Sequence, residues 1–300
     1  MNVLVTGGTG FIGSNLVKKL VELGHRVIAV GNDVENKLPP RVKSLGTHLT
    51  GIDWKQVSGI DVVFHQAANN NTLDNDAHEM HLANVEAPKT LFKKTMERGC
   101  RQFVYASSTA VYGDSAPPYR EDRKEAIMPL NPYGVSKALF DCFAMDFAQE
   151  HRVNVVGLRY CNVYGPGEGH KGKRASMIYQ IYKQMKEGKS PKLFDDGEQK
   201  RDWCYVDDVV DINLAASELT GAEIFNVGTG RATSFNDIVK FWNEELESDI
   251  VPEYIPNPYA GTYQNYTECS VIKAFKVLNW QAKYRTREGI AEFHKRLKEQ

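Results

Sequence analysis

A tyrosine and a lysine four residues apart, with a serine upstream, have the types and order that proton transfer requires. Tyr133 and Lys137 precede an apolar helical stretch from Ala138 to Ala148. Residues four apart share one helix face, and a nearby ammonium lowers the pKa of a phenol, so Tyr133 can act as a general acid or base. Ser108, at the end of a predicted strand, can hold a substrate oxygen. Because Tyr-x-x-x-Lys is common on helices, its meaning depends on the surrounding elements.

The chain begins with an apolar run of strand length that passes directly into a glycine-rich turn. Gly7, Gly10 and Gly13 frame this turn, and apolar residues then recur at helical spacing from 14 to 21. Glycines allow an unusual φ and a close approach of a pyrophosphate, which the helix N-terminus attracts. An ordinary βα turn is the alternative, but the strand before, the helix after and the N-terminal position favour dinucleotide binding. We therefore predict contacts from the glycines and from Phe11 and Ile12.

Composition excludes several classes of function. The 300 residues are 42% hydrophobic and 25% charged, with a formal net charge of −1, so neither nucleic acid nor a membrane surface is expected as a partner. Five cysteines with no C-x-x-C pair indicate neither a disulfide framework nor a zinc site, and no metal is expected. The N-terminal run has no basic region and is too short to span a membrane, so we expect a cytoplasmic protein.

The end of the second predicted strand, residues 26–30, bears on the choice of cofactor. An acidic residue at this point usually binds the adenosine ribose 2′-hydroxyl, but here the strand is followed by Gly31. Either Asp33 reaches the ribose and the cofactor is NAD, or a basic residue neutralises a 2′-phosphate and the cofactor is NADP. Lys37 and Arg41 are the basic candidates. The missing carboxylate at residue 31 favours NADP.

Three more segments of this half are candidates for cofactor contacts. Asn32 adjoins the strand end, and Asp53 and Trp54 follow a short strand predicted at 49–52, where they either meet the adenine edge or form a surface turn. The strand predicted at 61–68 ends in two small residues that would let the dinucleotide lie across it, Ala67 and Ala68. His65 in that strand is predicted to pack beside the sheet.

The order of elements predicts the architecture. Strands and helices alternate from residue 1 to about 165, which indicates an α/β fold with a doubly wound parallel sheet of the Rossmann type. Residues 166–300 are predicted to form a smaller, mainly substrate-binding part whose chain crosses back to the core. The cofactor would lie across the carboxyl ends of the parallel strands.

Motifs spread over more than half of the chain carry a family resemblance. They are Thr6–Gly13, His65–Ala68, Asn84, Ser107–Ser108, Tyr133 with Lys137, and Arg159–Pro166. In these motifs the chain resembles the extended short-chain dehydrogenases/reductases of the nucleotide-sugar epimerase and dehydratase group. The resemblance implies a nucleotide-diphosphate sugar substrate, a homo-oligomer, and further cofactor contacts from Asn84, Tyr133, Lys137, Tyr160 and Val163.

Two positions separate the activities within this group. Dehydratases of this type carry Asp-Glu, and related sugar-acid decarboxylases Ser-Glu, where this chain has Thr109 and Ala110. Because the acid that assists elimination is missing, the resemblance implies an epimerase that oxidises the sugar transiently and returns the hydride. A dinucleotide-binding regulator without activity is disfavoured, since such proteins typically lose the tyrosine or the lysine.

The segment 162–176 is more particular, because it resembles that of ADP-L-glycero-D-manno-heptose 6-epimerases. The resemblance makes Lys171 a second acid/base, whereas an electrostatic role at the diphosphate would leave Tyr133 to serve both faces, as in UDP-sugar 4-epimerases. Gly167 and Thr262 stand where the heptose enzymes usually have arginine, which leaves the nucleotide and the sugar open. The implied substrate contacts are Ser108, Asn162, Lys171, Ser176, Leu193, Phe194, Arg201 and Tyr263.

Overall fold

A computed structural model describes residues 1–32, 38–71, 76–258 and 263–299. Asp33, Lys37 and Thr262 lie outside the described residues. The strands are β1 Asn2–Thr6, β2 Arg26–Val30, β3 Lys43–Leu45, β4 Val62–His65, β5 Gln102–Ser108, β6 Asn154–Tyr160, β7 Asn162–Tyr164, β8 Lys192–Phe194, β9 Lys200–Tyr205, β10 Ala222–Val227, β11 Ala232–Ser234 and β12 Glu253–Ile255. The helices are α1 Phe11–Glu22, α2 Ala77–His81, α3 Ala87–Glu97, α4 Pro132–His151, α5 Met177–Lys186, α6 Val206–Ala216, α7 Phe235–Leu246, α8 Ile272–Leu278 and α9 Thr286–Lys298.

The main sheet has the order β10-β6-β5-β4-β1-β2-β3, and every neighbouring pair in it is parallel. β1 is flanked by β2 and β4, so the order reverses beside the glycine-rich turn, where ligands of open α/β sheets bind. The predicted α/β class with a doubly wound parallel sheet is confirmed.

Helices cover both faces of this sheet because its strands are apolar on both sides. α1, α6 and α8 bury Leu16, Val209 and Ala274 in one hydrophobic cluster. On the other face α3 and α4 bury Phe92 and Phe140 in a second cluster. Strands buried on both faces read as continuous apolar runs, as parallel sheets require.

The chain after residue 165 contributes to two layers. β10 pairs with β6 in the main sheet, whereas β9 pairs with β7 and β11 in a smaller sheet. α5, α7 and α9 surround that smaller sheet with a third hydrophobic cluster that includes Trp203, Trp242 and Phe293. The boundary at residue 165 between a cofactor domain and a substrate part stays a prediction.

Two local expectations were wrong. Residues 49–51 form a 3₁₀ turn, and the short strand precedes them as β3. Cys161 and Cys269 are joined in a disulfide, although the odd cysteine count gave no indication of a pair. Within the described part of the chain, no helix is long and apolar enough to cross a membrane.

Candidate active site

The turn between β1 and α1 forms a cradle that only glycine can build. Gly7 has a φ of +67°, and a Cβ there would lie 2.7 Å from the backbone nitrogen of Ala67. A Cβ on Gly13 would lie 2.0 Å from the carbonyl oxygen of Gly7. α1 begins after Gly10 with no side-chain cap among the described residues, so its first N–H groups face the cleft. This is the geometry that an anionic pyrophosphate needs.

A cleft of about 630 Å³ opens over this turn, a volume suited to a large ligand. It brings together nine residues predicted to bind ligand: Gly7, Gly10, Phe11, Ile12, Gly13, Asn32, Ala67, Ala68 and Lys171. The cradle and the cleft volume fit a dinucleotide. Arg41 and the residues of the tyrosine site are not part of the lining.

Asn84 and Tyr160, both predicted as cofactor ligands, support the lining from behind. The Asn84 amide accepts a hydrogen bond from the Asn69 N–H at 2.8 Å and donates one to the Asn69 carbonyl at 2.8 Å. The Tyr160 hydroxyl donates to Gln66 at 3.1 Å. Asn69 and Gln66 both line the cleft, so these two predicted ligands orient its wall. Val163, a third predicted ligand, packs against the core of the main sheet.

Asp53 and Trp54 are not among the residues that line the cleft. The Asp53 carboxylate accepts a hydrogen bond from the Lys55 N–H at 3.0 Å and closes a turn. The Trp54 ring lies 5.4 Å from the Lys94 ammonium and 5.3 Å from the Arg98 guanidinium. Of the two alternatives for this pair, the surface turn is the one that the structure contains.

Sequence reasoning missed other residues of the lining. Thr47, His48, Leu49 and Thr50 follow β3 and border the cleft beside Asn32. The polar residues directly after β3 could have indicated this part of the lining. The prediction of a strand at 49–52 assigned them to the wrong element. Arg174 also lines the cleft, near Lys171.

Tyr133 and Ser108 are brought together at the carboxyl end of β5. The Asn131 side chain caps α4 by accepting from the Gly134 N–H at 2.8 Å, and Pro132 occupies the first turn. This start places Tyr133 in that first turn, close to the Ser108 side chain. Burial raises the pKa of Tyr133, and the nearby Ser108 hydroxyl opposes this effect.

Lys137 lies one helical turn after Tyr133 and is almost fully buried. Its Nζ is 5.7 Å from the centre of the Tyr133 ring and donates to the Ala106 carbonyl at 2.9 Å. Burial lowers the pKa of Lys137 to about 8, while the Asp141 carboxylate acts in the opposite direction. The site therefore holds a phenol, a hydroxyl and an ammonium in the predicted arrangement.

A folded loop carries Lys171 to the glycine-rich turn. The buried Glu168 carboxylate accepts hydrogen bonds from the Gly165 N–H at 3.0 Å and from the Ser176 N–H at 2.6 Å. The Ser176 hydroxyl also bonds Glu168, at 3.0 Å, and caps α5, so this predicted substrate ligand has a structural role. The Lys171 Nζ lies 5.5 Å from the centre of the Phe11 ring. Burial lowers the pKa of Lys171, and Glu168 opposes this.

The predicted substrate contacts of the C-terminal part form a cluster around Arg201. Its guanidinium is buried, 4.8 Å from the Tyr263 ring centre, and the Tyr263 ring in turn contacts Phe194 at 5.7 Å. Leu193 is buried beneath them in the third cluster. Asn162 is exposed on β7, which pairs with the strand that carries Arg201. Burial lowers the pKa of Arg201, so an anion would be a favourable partner for it.

These geometric features can be compared with known proteins. The profile of the NAD dependent epimerase/dehydratase family matches residues 3–228. The chain belongs to this family. The match spans the glycine-rich turn, the Tyr133 site and the Lys171 loop.

Solved structures resemble the whole chain. UDP-glucose 4-epimerase from Thermotoga maritima, in complex with UDP-glucose, is 31% identical with a TM-score of 0.91, covering 100% of this chain and 99% of that one. ADP-L-glycero-D-manno-heptose-6-epimerase from Helicobacter pylori is 30% identical with a TM-score of 0.90, covering 99% and 96%. UDP-glucose 4-epimerase from Thermus thermophilus, in complex with NAD, is 26% identical with a TM-score of 0.87, covering 99% of each chain.

Proposed function

We propose that this chain is an NAD(P)-dependent nucleotide-sugar epimerase, most like the ADP-glycero-manno-heptose 6-epimerases. The carrying observation is the juxtaposition of Tyr133, Ser108 and Lys137 at the carboxyl end of β5, next to β4, after which residues 66–69 line the cleft. The chain also has Thr109 and Ala110 in place of acids that assist elimination. A bound nicotinamide would supply hydride uptake and return. The side chains then need to move protons at the sugar oxygen and to hold the sugar nucleotide.

The proton steps follow from the side-chain contacts. Tyr133 acts in its phenolate form, which the ammonium of Lys137 stabilises. This phenolate takes the proton of the sugar hydroxyl that Ser108 holds and becomes the phenol. Inverting a carbon requires hydride return to the other face, so a proton donor must serve that face too. Lys171 is proposed as this second group, because its burial lowers the lysine pKa towards neutrality. Arg201 is proposed to neutralise the substrate diphosphate, with Phe194 and Tyr263 beside it.

A UDP-sugar 4-epimerase is the second candidate, and one observation favours it. The Lys171 Nζ lies over Phe11, at the N-terminus of α1, where a cation would neutralise phosphate. In that case Tyr133 serves both faces of the sugar. The experiment that separates the candidates is NMR of ADP-heptose epimers and of UDP-glucose incubated with the protein and cofactor. Conversion of one pair identifies the carbon that is inverted, and conversion of neither contradicts the proposal.

The cofactor is proposed to be NAD or NADP, with NADP binding at least as well. This rests on Gly31, which offers no carboxylate against a 2′-phosphate and where a Cβ would lie 2.3 Å from the Thr9 hydroxyl. A larger residue at 31 would therefore have to displace Thr9.

A homo-oligomer is proposed from an exposed apolar stripe. Val135 and Leu139 on α4 are 42% and 44% exposed, and Leu82 nearby is 48% exposed. A second copy of this chain is the partner that the family resemblance implies for this face. Light scattering of the wild type and of Leu139→Lys tests it: a dimer or larger assembly that the variant shifts to monomer is expected, and a monomeric wild type contradicts it.

A further inference from the structure

An ion pair is buried behind Lys137. Asp141 follows Lys137 by one turn of α4, and the Arg159 Nε of β6 donates to its Oδ2 at 2.9 Å. The two side chains are only 3% and 8% exposed. Removing both charges from water is costly, and such pairs often add little net stability. Stability alone therefore does not account for the Asp141–Arg159 pair.

Neighbouring hydroxyls hold both ends of the pair in place. The Tyr105 hydroxyl donates to the other Asp141 oxygen at 3.0 Å. The Arg159 Nη1 donates to the Tyr112 hydroxyl at 2.9 Å, and that hydroxyl donates to Asn226 at 2.8 Å. The carboxylate thus has a fixed position relative to the helix that carries Lys137.

The other groups around Lys137 supply no competing negative charge. On α4 its neighbours are Tyr133, whose pKa is raised by burial so that it is a neutral phenol before substrate binds, and the carboxylate of Asp141. From β4, His65 is buried against the Thr6 hydroxyl at 2.7 Å, and burial lowers its pKa to about 3, so it is neutral at ordinary pH. From β5 come the Ala106 carbonyl and the Tyr105 phenol. Among the described residues, Asp141 is thus the anion that acts on Lys137.

We propose that the Asp141–Arg159 pair is a positioning device that sets the charge of Lys137 for the Tyr133 site. Asp141 favours the ammonium form of Lys137, and Arg159 offsets part of that effect. The pKa of Lys137 therefore lies between the values that either charge alone would give. The catalytic consequence rests on the proposed function, whereas the effect on Lys137 itself does not.

Removing the anion of the pair and removing its cation should shift the pKa of Lys137 in opposite directions. Asp141→Asn leaves the Arg159 cation unpaired and should lower the pKa of Lys137 by about one unit or more. Arg159→Gln leaves the carboxylate and should raise it. Tyr105→Phe is the matched control, because it removes a hydrogen bond to Asp141 without changing a charge. The double variant Asp141→Asn with Arg159→Gln, which leaves no unpaired charge, covers the case in which a single variant does not fold.

The direct test is an NMR titration of the full-length protein with 13C-labelled lysine, in which Lys137→Met assigns the signal. The proposal is supported if the pKa of Lys137 falls in Asp141→Asn and rises in Arg159→Gln. It is also supported if the pKa falls in Asp141→Asn and is higher in the double variant than in Asp141→Asn. Shifts of one sign in both single variants, no shift in the Asp141→Asn protein, or a double variant in which the pKa of Lys137 is no higher than in Asp141→Asn overturn it.

The pH profile of kcat/KM then tests the catalytic consequence. Its alkaline limb should move down in Asp141→Asn and stay in place in Tyr105→Phe. If the NMR titration shifts as expected and the limb does not follow, the role assigned to Lys137 in the proposed function fails, while the electrostatic effect of the pair stands.

Discussion

The dinucleotide cleft and the Arg201 cluster are built by different means. The cleft is shaped mainly by backbone and by missing side chains: Gly7 and Gly13 leave no space for a Cβ, and Ala67 and Ala68 border them. The Arg201 cluster instead depends on large side chains from separate segments, in which an arginine lies between aromatic rings. One region therefore fails when a methyl is added, and the other when a side chain is removed. Tyr133 and Lys137, the proposed proton-transfer residues, belong to neither region.

The largest effect is expected at Tyr133, which belongs to neither region. Tyr133→Phe keeps the ring and removes the hydroxyl proposed to transfer the proton, so turnover should fall by ~10²–10⁴. Cofactor binding and thermal stability should remain near wild type, because both regions stay intact. Steady-state kinetics and cofactor titration measure this. Turnover near the wild-type rate would refute the assignment of Tyr133.

Adding one methyl to the cradle should be the next largest effect. Gly13→Ala places a Cβ 2.0 Å from the Gly7 carbonyl oxygen, so the turn must move, at a cost of about 1–3 kcal/mol in the free energy of unfolding. Cofactor affinity should fall at least tenfold. Gly46→Ala is the control, because a Cβ there meets nothing within 4 Å. Denaturation and calorimetry of both variants measure the difference. Equal stability and equal cofactor affinity would mean that the turn tolerates a Cβ at residue 13.

Much of the cradle could be predicted, because its residues are contiguous and each glycine has a local reason. Tyr133, Ser108 and Lys137 were also recognisable from order and spacing. The lining at Thr47–Thr50 was missed, since the three-residue edge strand β3 has no alternating pattern to mark it. The disulfide between Cys161 and Cys269, 108 residues apart, has no local signal at all. The Asp141–Arg159 pair likewise joins a helix and a strand whose pairing depends on tertiary structure.

A variant of Lys171 tests whether this residue transfers a proton or binds the diphosphate. Lys171→Met keeps much of the aliphatic length and removes the ammonium. As the second acid/base, Lys171 should affect chiefly kcat, by about 10²-fold or more. A diphosphate clamp would instead raise KM and leave kcat at saturation, and that result would favour a 4-epimerase. Lys173→Met, in the same loop but outside the cleft lining, is the matched control.

The choice of cofactor is a smaller effect. Because residue 31 is glycine, NADP should bind at least as tightly as NAD, with Kd values within about tenfold of each other if a single basic side chain supplies the counter-charge. Mass spectrometry of cofactor released from the purified protein and titration with each dinucleotide measure the preference. Recovery of NAD with no measurable affinity for NADP would reverse the preference and assign the ribose to Asp33.

The smallest effect on cofactor affinity is expected at Trp54, in contrast to His48. Trp54 contacts Lys94 and Arg98 and lies outside the lining, whereas His48 is part of it. Trp54→Leu should therefore leave the cofactor Kd unchanged and lower the free energy of unfolding modestly, by about 1 kcal/mol, through lost packing and cation–π contact. His48→Ala should weaken cofactor binding with little effect on stability. Isothermal titration and urea denaturation on the two variants separate these outcomes. A tenfold loss of affinity in Trp54→Leu would return the adenine contact to the Asp53–Trp54 turn.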